Sequence, residues 1–330
     1  MPERFRAYRV SNDDGEVSGA LTELTLDDLD AGDVVLHTEY SSVNYKDALA
    51  ATGKGRIMRR FPMVAGIDAA GVVETSSDGR FREGDRVLVT GYGLGEEHDG
   101  GYSSSVRVPG DWLVPLPEGM DSATAMAVGT AGFTAAISVV RMEENGLAPD
   151  RGPVLVTGAT GGVGSIAIDI LGGTGVRGTR AHGQGRGARL PAWTGRPEVI
   201  SRQELQMGER PLEKALWAGS VDAAGGAVLA WLTRTTMRHG SIASCGLAAG
   251  ADLTTTVMPF ILRGVNLLGI DSGYYPMERR RELWSRLAGD LRPPHREDVT
   301  RTIGLDELPH VFGAFIAGQA RGRTVVRVSE

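Results

Sequence analysis

Residues 153–165 run Pro-Val-Leu-Val-Thr-Gly-Ala-Thr-Gly-Gly-Val-Gly-Ser, an apolar strand passing straight into a glycine-rich turn. Val154, Leu155 and Val156 form the short aliphatic run expected of a strand buried on both faces. Gly161, Gly162 and Gly164 let the backbone turn sharply and approach a pyrophosphate without Cβ clashes. Ser165 to Leu171 is helix-compatible, which aims free N–H groups and the positive end of the helix dipole at a phosphate. The same glycines would also serve a structural turn. Strand, glycine turn and helix in that order imply the entry of a dinucleotide-binding βαβ unit, and hence an oxidoreductase.

The chain has 330 residues, enough for two domains. Its formal charge of -6 argues against nucleic acid as the main partner. Cys245 is the one cysteine, so intramolecular disulfides and multi-cysteine zinc sites are excluded. Its setting, Ser-Ile-Ala-Ser-Cys-Gly-Leu, reads as a buried strand end carrying a structural thiol. No apolar run approaches the roughly 18 residues that span a membrane. The first residues lack the apolar core of a signal peptide. A cytoplasmic protein with no membrane partner is expected.

Residues 1–125 hold short alternating strands, clearest at Val34 to Thr38, Gly71 to Thr75, Arg86 to Thr90 and Tyr102 to Val108. Asp121 to Val140 reads as a helix capped by Asp121 and interrupted at Gly129-Thr130-Ala131-Gly132. That break suits either a ligand or close packing. Further strands are expected at Ser220 to Ala223, Gly240 to Cys245, Val265 to Ile270 and Thr324 to Val328. Met277 to Leu291 reads as a charged, exposed helix, and Leu305 to Ala317 as another. After Leu171, where a βαβ unit needs its second strand, seven glycines between Gly172 and Gly187 make a regular strand unexpected.

Several blocks together carry a family resemblance. Ser41-Ser42-Val43-Asn44-Tyr45-Lys46-Asp47 is followed by Thr52-Gly53-Lys54-Gly55, and Gly66-Ile67-Asp68-Ala69-Ala70-Gly71 precedes Gly84-Asp85-Arg86-Val87. Later come Gly129-Thr130-Ala131-Gly132-Phe133-Thr134-Ala135 and Thr255-Thr256-Val257-Met258-Pro259-Phe260-Ile261. The chain resembles the zinc-independent medium-chain dehydrogenase/reductases, and more closely their acrylyl-CoA reductase (YhdH-type quinone oxidoreductase) group. The resemblance implies an α/β protein: a GroES-like β-rich catalytic domain (1–125) and a Rossmann doubly wound parallel-sheet domain that binds NADP (126–272). Residues 273–330 would return to the catalytic domain. It also implies NADPH, a homodimer, and reduction of the conjugated C=C of acrylyl-CoA to propionyl-CoA by hydride transfer. Ile67 stands where zinc-dependent relatives carry a ligand histidine, so no metal site is assigned. Reduction of quinones or other enones is the alternative, and a nucleotide-binding protein with impaired catalysis is a third reading if segment 172–200 is real.

The candidate catalytic residues are Tyr45, Asn44 and Asp47. Family position puts Tyr45 by the nicotinamide, while Asn44 would orient substrate or fix the loop, and Asp47 would cap locally or act as an acid. Lys46 is expected to pair with Asp47. Thr130 would approach the nicotinamide, and Thr160, Gly161, Gly162 and Val163 would surround the pyrophosphate. The resemblance adds Arg202, Leu247, Ile261, Ser272 and Arg323 as cofactor contacts. Lys54, Arg56, Arg59 and Arg60 form a basic cluster suited to coenzyme A phosphates or to a solvated loop. His98, in Glu96-Glu97-His98-Asp99, has no standard metal-site spacing.

The group's 2′-phosphate turn, a Ser-Gly-Arg, has no counterpart in register here, although Arg177, Arg180 and Arg186 offer charge. Codons allowed for residues 175–196 include a reading one base later that restores the group's Tyr-Leu helix. A compensated frameshift across about 174–197 is therefore expected. Resequencing the gene and measuring intact mass checks it; an unshifted reading in both overturns it.

Overall fold

A computed structural model describes residues 3–176, 178–182, 198–201, 205 and 207–329. The first elements are β1 (Phe5–Asp13), β2 (Glu16–Leu24), β3 (Val34–Val43), α1 (Tyr45–Ala51), β4 (Met63–Val64), β5 (Asp68–Ser76) and β6 (Arg86–Thr90). Next are β7 (Ser105–Val108), β8 (Val114–Pro115), α2 (Ser122–Glu144), β9 (Val154–Thr157), α3 (Gly162–Gly173), β10 (Gly178–His182), β11 (Glu198–Ser201) and β12 (Trp217–Asp222). The rest are α4 (Gly226–Thr235), β13 (Thr236–Ser244), α5 (Met258–Arg263), β14 (Asn266–Gly269), α6 (Met277–Ala288), β15 (Thr300–Gly304), α7 (Leu308–Ile316) and β16 (Arg323–Arg327). Two compact units form: Met1–Thr130 with Gly273–Ala288 and Thr300–Glu330, and Ala131–Ser272 with Gly289–Val299.

The first unit is mostly strand. One sheet has the order β15-β16-β3-β5-β6-β8, with β7 also paired to β3, and a smaller sheet runs β2-β1-β4. Alternation places Val34, Leu36, Val73, Val87, Val89, Val106 and Val108 in one core cluster. Two register shifts in the β3–β5 pairing, at Val35/Leu36 and Thr38/Tyr40, bend the ladder. Gly71 is required there, because a Cβ would lie 2.0 Å from the His37 carbonyl oxygen. The ladder brings three chain positions to one end of the sheet: Asp68 opposite Thr90, Ser42 opposite Val325, and Val43 opposite Thr324.

The second unit carries the parallel sheet, ordered β11-β10-β9-β12-β13-β14. Every pairing in it is parallel. β9 and β12 are neighbours although β10 and β11 follow β9 in the chain, so the connections reverse direction at that pair. This doubly wound order makes the C-terminal ends of β9 and β12 the switch point. All four residues of β9 are buried, and α3 buries Gly164 to Leu171 against the sheet. Each buried aliphatic side chain of β9 stabilises the fold by about 1.5–3 kcal/mol.

Three sequence expectations change. A second strand does form: β10 pairs with β9 through Gly178 to Val154, Thr179 to Leu155, Arg180 to Val156 and Ala181 to Thr157. Backbone groups make that ladder, and every residue there supplies them whatever its side chain. Residues 183–197, most of the proposed frameshift, lie outside the described residues, as do Arg177 and Arg186. Helix α6 is not an exposed helix: Arg280, Leu283, Trp284 and Leu287 are buried at the spacing of one helical face. Its many charges mask that stripe. Helix α2, by length and composition alone, is apolar enough to cross a membrane, but 78% of the relevant window is buried inside the protein.

Candidate active site

β3 ends at Val43, and Asn44 continues in extended conformation to cap α1. The Asn44 backbone N–H donates to Asp47 Oδ2 at 2.8 Å, and the Ile67 N–H donates to Asp47 Oδ1 at 3.0 Å. Asp47 is thereby buried, joining the first turn of α1 to the chain segment before β5. Tyr45, the first residue of the helix, faces outward with 47% exposure. Lys46 pairs with Glu96 at 2.9 Å, not with Asp47. Adjacent residues on a helix do not face each other, and the Asp47 carboxylate is occupied inside.

Asp68 organises the site, although the sequence marks it only as part of a glycine-rich block. It is fully buried. Its Oδ2 accepts from the Ser42 hydroxyl at 2.5 Å, Asn44 Nδ2 at 2.8 Å and the Thr130 N–H at 3.0 Å. Its Oδ1 accepts from the Thr130 hydroxyl, and its carbonyl accepts from the Ser41 hydroxyl at 2.6 Å. Asn44 and Thr130, two of the sequence candidates, are therefore joined through one carboxylate. A signal existed: an acid between Ile67 and Ala69 in a small, apolar run is costly to bury unless satisfied.

Arg323 completes the network. It is 2% exposed at the start of β16. Its donors reach Ala127 O at 2.9 Å, Ser42 Oγ at 2.8 Å, Asn44 Oδ1 at 3.2 Å, Val43 O at 3.3 Å and Met126 O at 3.3 Å. Those contacts match the five N–H groups of a guanidinium. Burial pulls Arg323 below the ordinary guanidinium value, and the charges of Asp68 and Asp47 oppose that pull.

The break in α2 belongs to the same cluster. Gly129 has φ 51° and ψ -162°. A Cβ there would lie 2.5 Å from Arg323 Nη2, 2.6 Å from Ser42 Oγ and 2.8 Å from Asp68 Oδ2. Close packing of the helix backbone onto the network therefore explains this glycine, and the break turns the Thr130 N–H toward Asp68.

In the second unit, the turn after β9 is sharp at Gly158, where φ is 62°. Gly161 caps α3, and its N–H donates back to Gly158 O at 2.9 Å. Gly164 packs so closely that a Cβ would meet Gly158 O at 2.3 Å. Thr160, Gly161, Gly162 and Val163 are left half-buried at the N-terminus of α3. Beside them, Asp222 Oδ1 accepts from the Thr157 hydroxyl at 2.7 Å and Asp222 Oδ2 from the Gly225 N–H at 2.8 Å. Leu247 lies in the turn that packs on Gly225, with 61% exposure. Ile261 on α5 is exposed too, and Ser272 is half-buried beyond β14. Arg202 lies outside the described residues.

Cys245 follows β13 and is half-buried rather than fully buried. Burial of the sulfur pushes its thiol up to about 12, beside the Asp222 carbonyl at 3.3 Å. A thiol held that high is a poor nucleophile. In the basic cluster, Arg60 is engaged by Asp30 and Asp99, and Arg59 lies 3.8 Å from Glu97. Lys54 and Arg56 are exposed. His98 is held by the Asp99 and Ala31 carbonyls, both at 3.2 Å.

A strand-rich unit with this buried network, together with a doubly wound parallel sheet carrying a glycine turn, defines a dehydrogenase or reductase of two-unit build. Residues 30–118 match the alcohol dehydrogenase GroES-like domain. Over 328 residues the chain is 47% identical to the acrylyl-CoA reductase AcuI of Ruegeria pomeroyi, covering 98% of this chain and 99% of that one. It is 44% identical to the putative quinone oxidoreductase YhfP of Bacillus subtilis, covering 99% of this chain and all of that one. The solved YhfP structure, with NAD bound, superposes with a TM-score of 0.95 over 98% of this chain and 99% of that one. The yhdH oxidoreductase of Salmonella enterica, in complex with NADP, superposes with a TM-score of 0.92 at 44% identity, over 98% of this chain and 100% of that one. The chain belongs to the medium-chain dehydrogenase/reductases, within the group that holds AcuI, YhdH and YhfP.

Two outcomes follow from the network. Replacing Gly129 by Ala forces a Cβ into the network from a glycine-only backbone conformation. Urea unfolding should show a loss of at least about 2 kcal/mol. Burial, with the Asp68 charge second, raises the Asp47 carboxyl to about 7, against 3.8 for the free group. Folding therefore takes up a proton at Asp47, and the stability this supplies is complete below about pH 4 and lost as pH rises through about 7. Between pH 5 and pH 8 the wild-type Tm should fall, and Asp47→Asn should flatten part of that slope. Asp169 and Asp222, also raised by burial, retain the remainder.

Proposed function

We propose that the protein reduces the conjugated C=C of acrylyl-CoA to propionyl-CoA, with NADPH as hydride donor and without zinc. The observation that carries this reading is the wiring of Tyr45. An exposed ring and hydroxyl stand on a helix start whose capping Asn44 is fixed by Asp68 and Arg323. The naming of a full-length relative as an acrylyl-CoA reductase supports the substrate.

The second unit fits the cofactor. Gly158 and Gly164 bring the turn close to α3, and the half-buried Thr160 to Val163 present backbone N–H groups at a helix N-terminus, a donor set suited to a pyrophosphate. Leu247 and Ile261, both exposed, and the half-buried Ser272 are the further cofactor contacts that the family resemblance implies. When bound, NADPH supplies the hydride for the β-carbon. Tyr45 would lie by the nicotinamide, as the family resemblance implies, and its exposed hydroxyl would be available to donate toward the thioester oxygen as negative charge develops there. Thr130 is held by two hydrogen bonds to Asp68, so its position at the helix break is set before substrate arrives. Asn44, Asp47 and Arg323 act behind Tyr45 and Thr130 as positioning residues. One proton added at the α-carbon completes the reduction.

The protein acts as a cytoplasmic homodimer, with β14 as the edge available for pairing, since it is the last strand of its sheet. Reduction of quinones is the second reading, supported by the naming of the YhfP relative.

NADPH oxidation measured with acrylyl-CoA and with a simple quinone separates the two. Acrylyl-CoA should be reduced faster, and Tyr45→Ala should lower kcat/KM by roughly tenfold to a hundredfold. No acceleration by the thioester defeats the first reading. A fluorescence titration that shows no NADPH binding defeats both and leaves a protein with impaired catalysis.

A further inference from the structure

Among the described residues, two aromatic rings are exposed, Tyr45 at 47% and Tyr274 at 62%. The helix that starts at Tyr45 and the segment that carries Tyr274 both contact one turn of the first unit, residues 93–97. Glu96 in that turn accepts from Lys46, the neighbour of Tyr45, at 2.9 Å. The Tyr274 hydroxyl lies beside Gly93 in the same turn: a Cβ on Gly93 would meet it at 3.8 Å and Glu97 Cβ at 3.5 Å, both ordinary contact distances.

The chain on either side of Tyr274 is held at Gly273 and Tyr275. Tyr92, a bulky residue at φ 54°, donates its N–H to Gly273 O at 3.0 Å and its hydroxyl to Tyr275 O at 2.8 Å. The buried Arg280 guanidinium lies 4.6 Å from the Tyr92 ring centroid and donates to Thr90 O at 2.8 Å and Gly273 O at 3.1 Å. Trp112 stacks on Tyr92 at 6.2 Å, and Tyr274 meets Tyr92 edge-on at 6.1 Å. Gly91 allows the approach, since a Cβ there would come within 2.5 Å of Gly273 O. A left-handed tyrosine is an outlier that persists only when its neighbours over-determine it. Tyr92, fixed in this way, presents its ring to the edge of Tyr274, which remains in water. Such a ring gains little for folding and is already ordered for a ligand.

We infer that Tyr274 is a specificity-determining residue: the ring against which the pantetheine arm of a coenzyme A thioester lies. The inference rests on the acrylyl-CoA reading above. A substrate whose β-carbon is presented at Tyr45 extends its long arm outward, and the turn at residues 93–97 separates Tyr45 from the next exposed ring. A tyrosine offers that arm an apolar face for its methylenes and a hydroxyl for its amides. The arm does not react, so its binding is read mainly in KM.

The test compares acrylyl-CoA with its armless counterpart, S-methyl thioacrylate, in the wild type, Tyr274→Ala and Tyr274→Phe. Tyr274→Ala should raise KM for acrylyl-CoA about tenfold, the size expected for one aromatic contact. Its kcat, KM for NADPH, Tm and kcat/KM for the methyl thioester should stay at wild-type values. Tyr274→Phe should restore most of the acrylyl-CoA KM. An unchanged KM for acrylyl-CoA in Tyr274→Ala overturns the inference, as does an equal loss on both thioesters. A wild-type enzyme that reduces the methyl thioester but is not helped by the coenzyme A arm defeats the acrylyl-CoA reading itself, before any variant is compared.

Discussion

A buried arginine, Arg323, joined to the buried Asp68 through Ser42 and Asn44, governs the first unit. Arg323, Asp68 and Asp47 are all withdrawn from water, and burying such charges is costly unless every donor and acceptor is met. The chain meets them with serines, an asparagine, a threonine and backbone carbonyls drawn from β3, β5, β16 and α2. Removing one partner would strand the others, so the network behaves as a unit. It gives the exposed face of the site a rigid base: Asn44 is fixed, therefore α1 starts where it does, therefore Tyr45 points outward.

The second unit achieves rigidity by another route. Close backbone approach at Gly158 and Gly164 sets the turn after β9, and Asp222 ties the turn after β12 to Thr157. A pyrophosphate needs backbone N–H groups held in place, and side chains contribute little to that beyond leaving room. Accordingly the turn consists mostly of glycine and small residues, while the apolar burial that stabilises this part of the fold lies beneath it in β9 and α3.

Much of this was legible in residue order. The β9 strand, its glycine turn and the following helix were readable because a buried strand and a helix entry have strong local signatures, and the interruption of α2 was readable from Gly129. Asp68 was missed as an organiser, since its partners sit 26, 24 and 62 positions away in the chain. The pairing of Lys46 was misjudged for a similar reason: Glu96 is close only through the fold. β10 was unexpected because a glycine-rich stretch lacks the usual strand composition, whereas a neighbour already in place can recruit any backbone into its ladder.

The sequence by itself determined the strand-rich character of the first unit and the strand, glycine turn and helix entry of the second, since each depends on local periodicity or on a short motif. Tertiary structure alone decided that Arg323 is buried, that Gly129 is a packing residue, and that Tyr92 is locked beneath Tyr274. Those facts depend on which distant groups share a volume from which water is excluded, and in such a volume an unpaired charge or an added methyl group has nowhere to go.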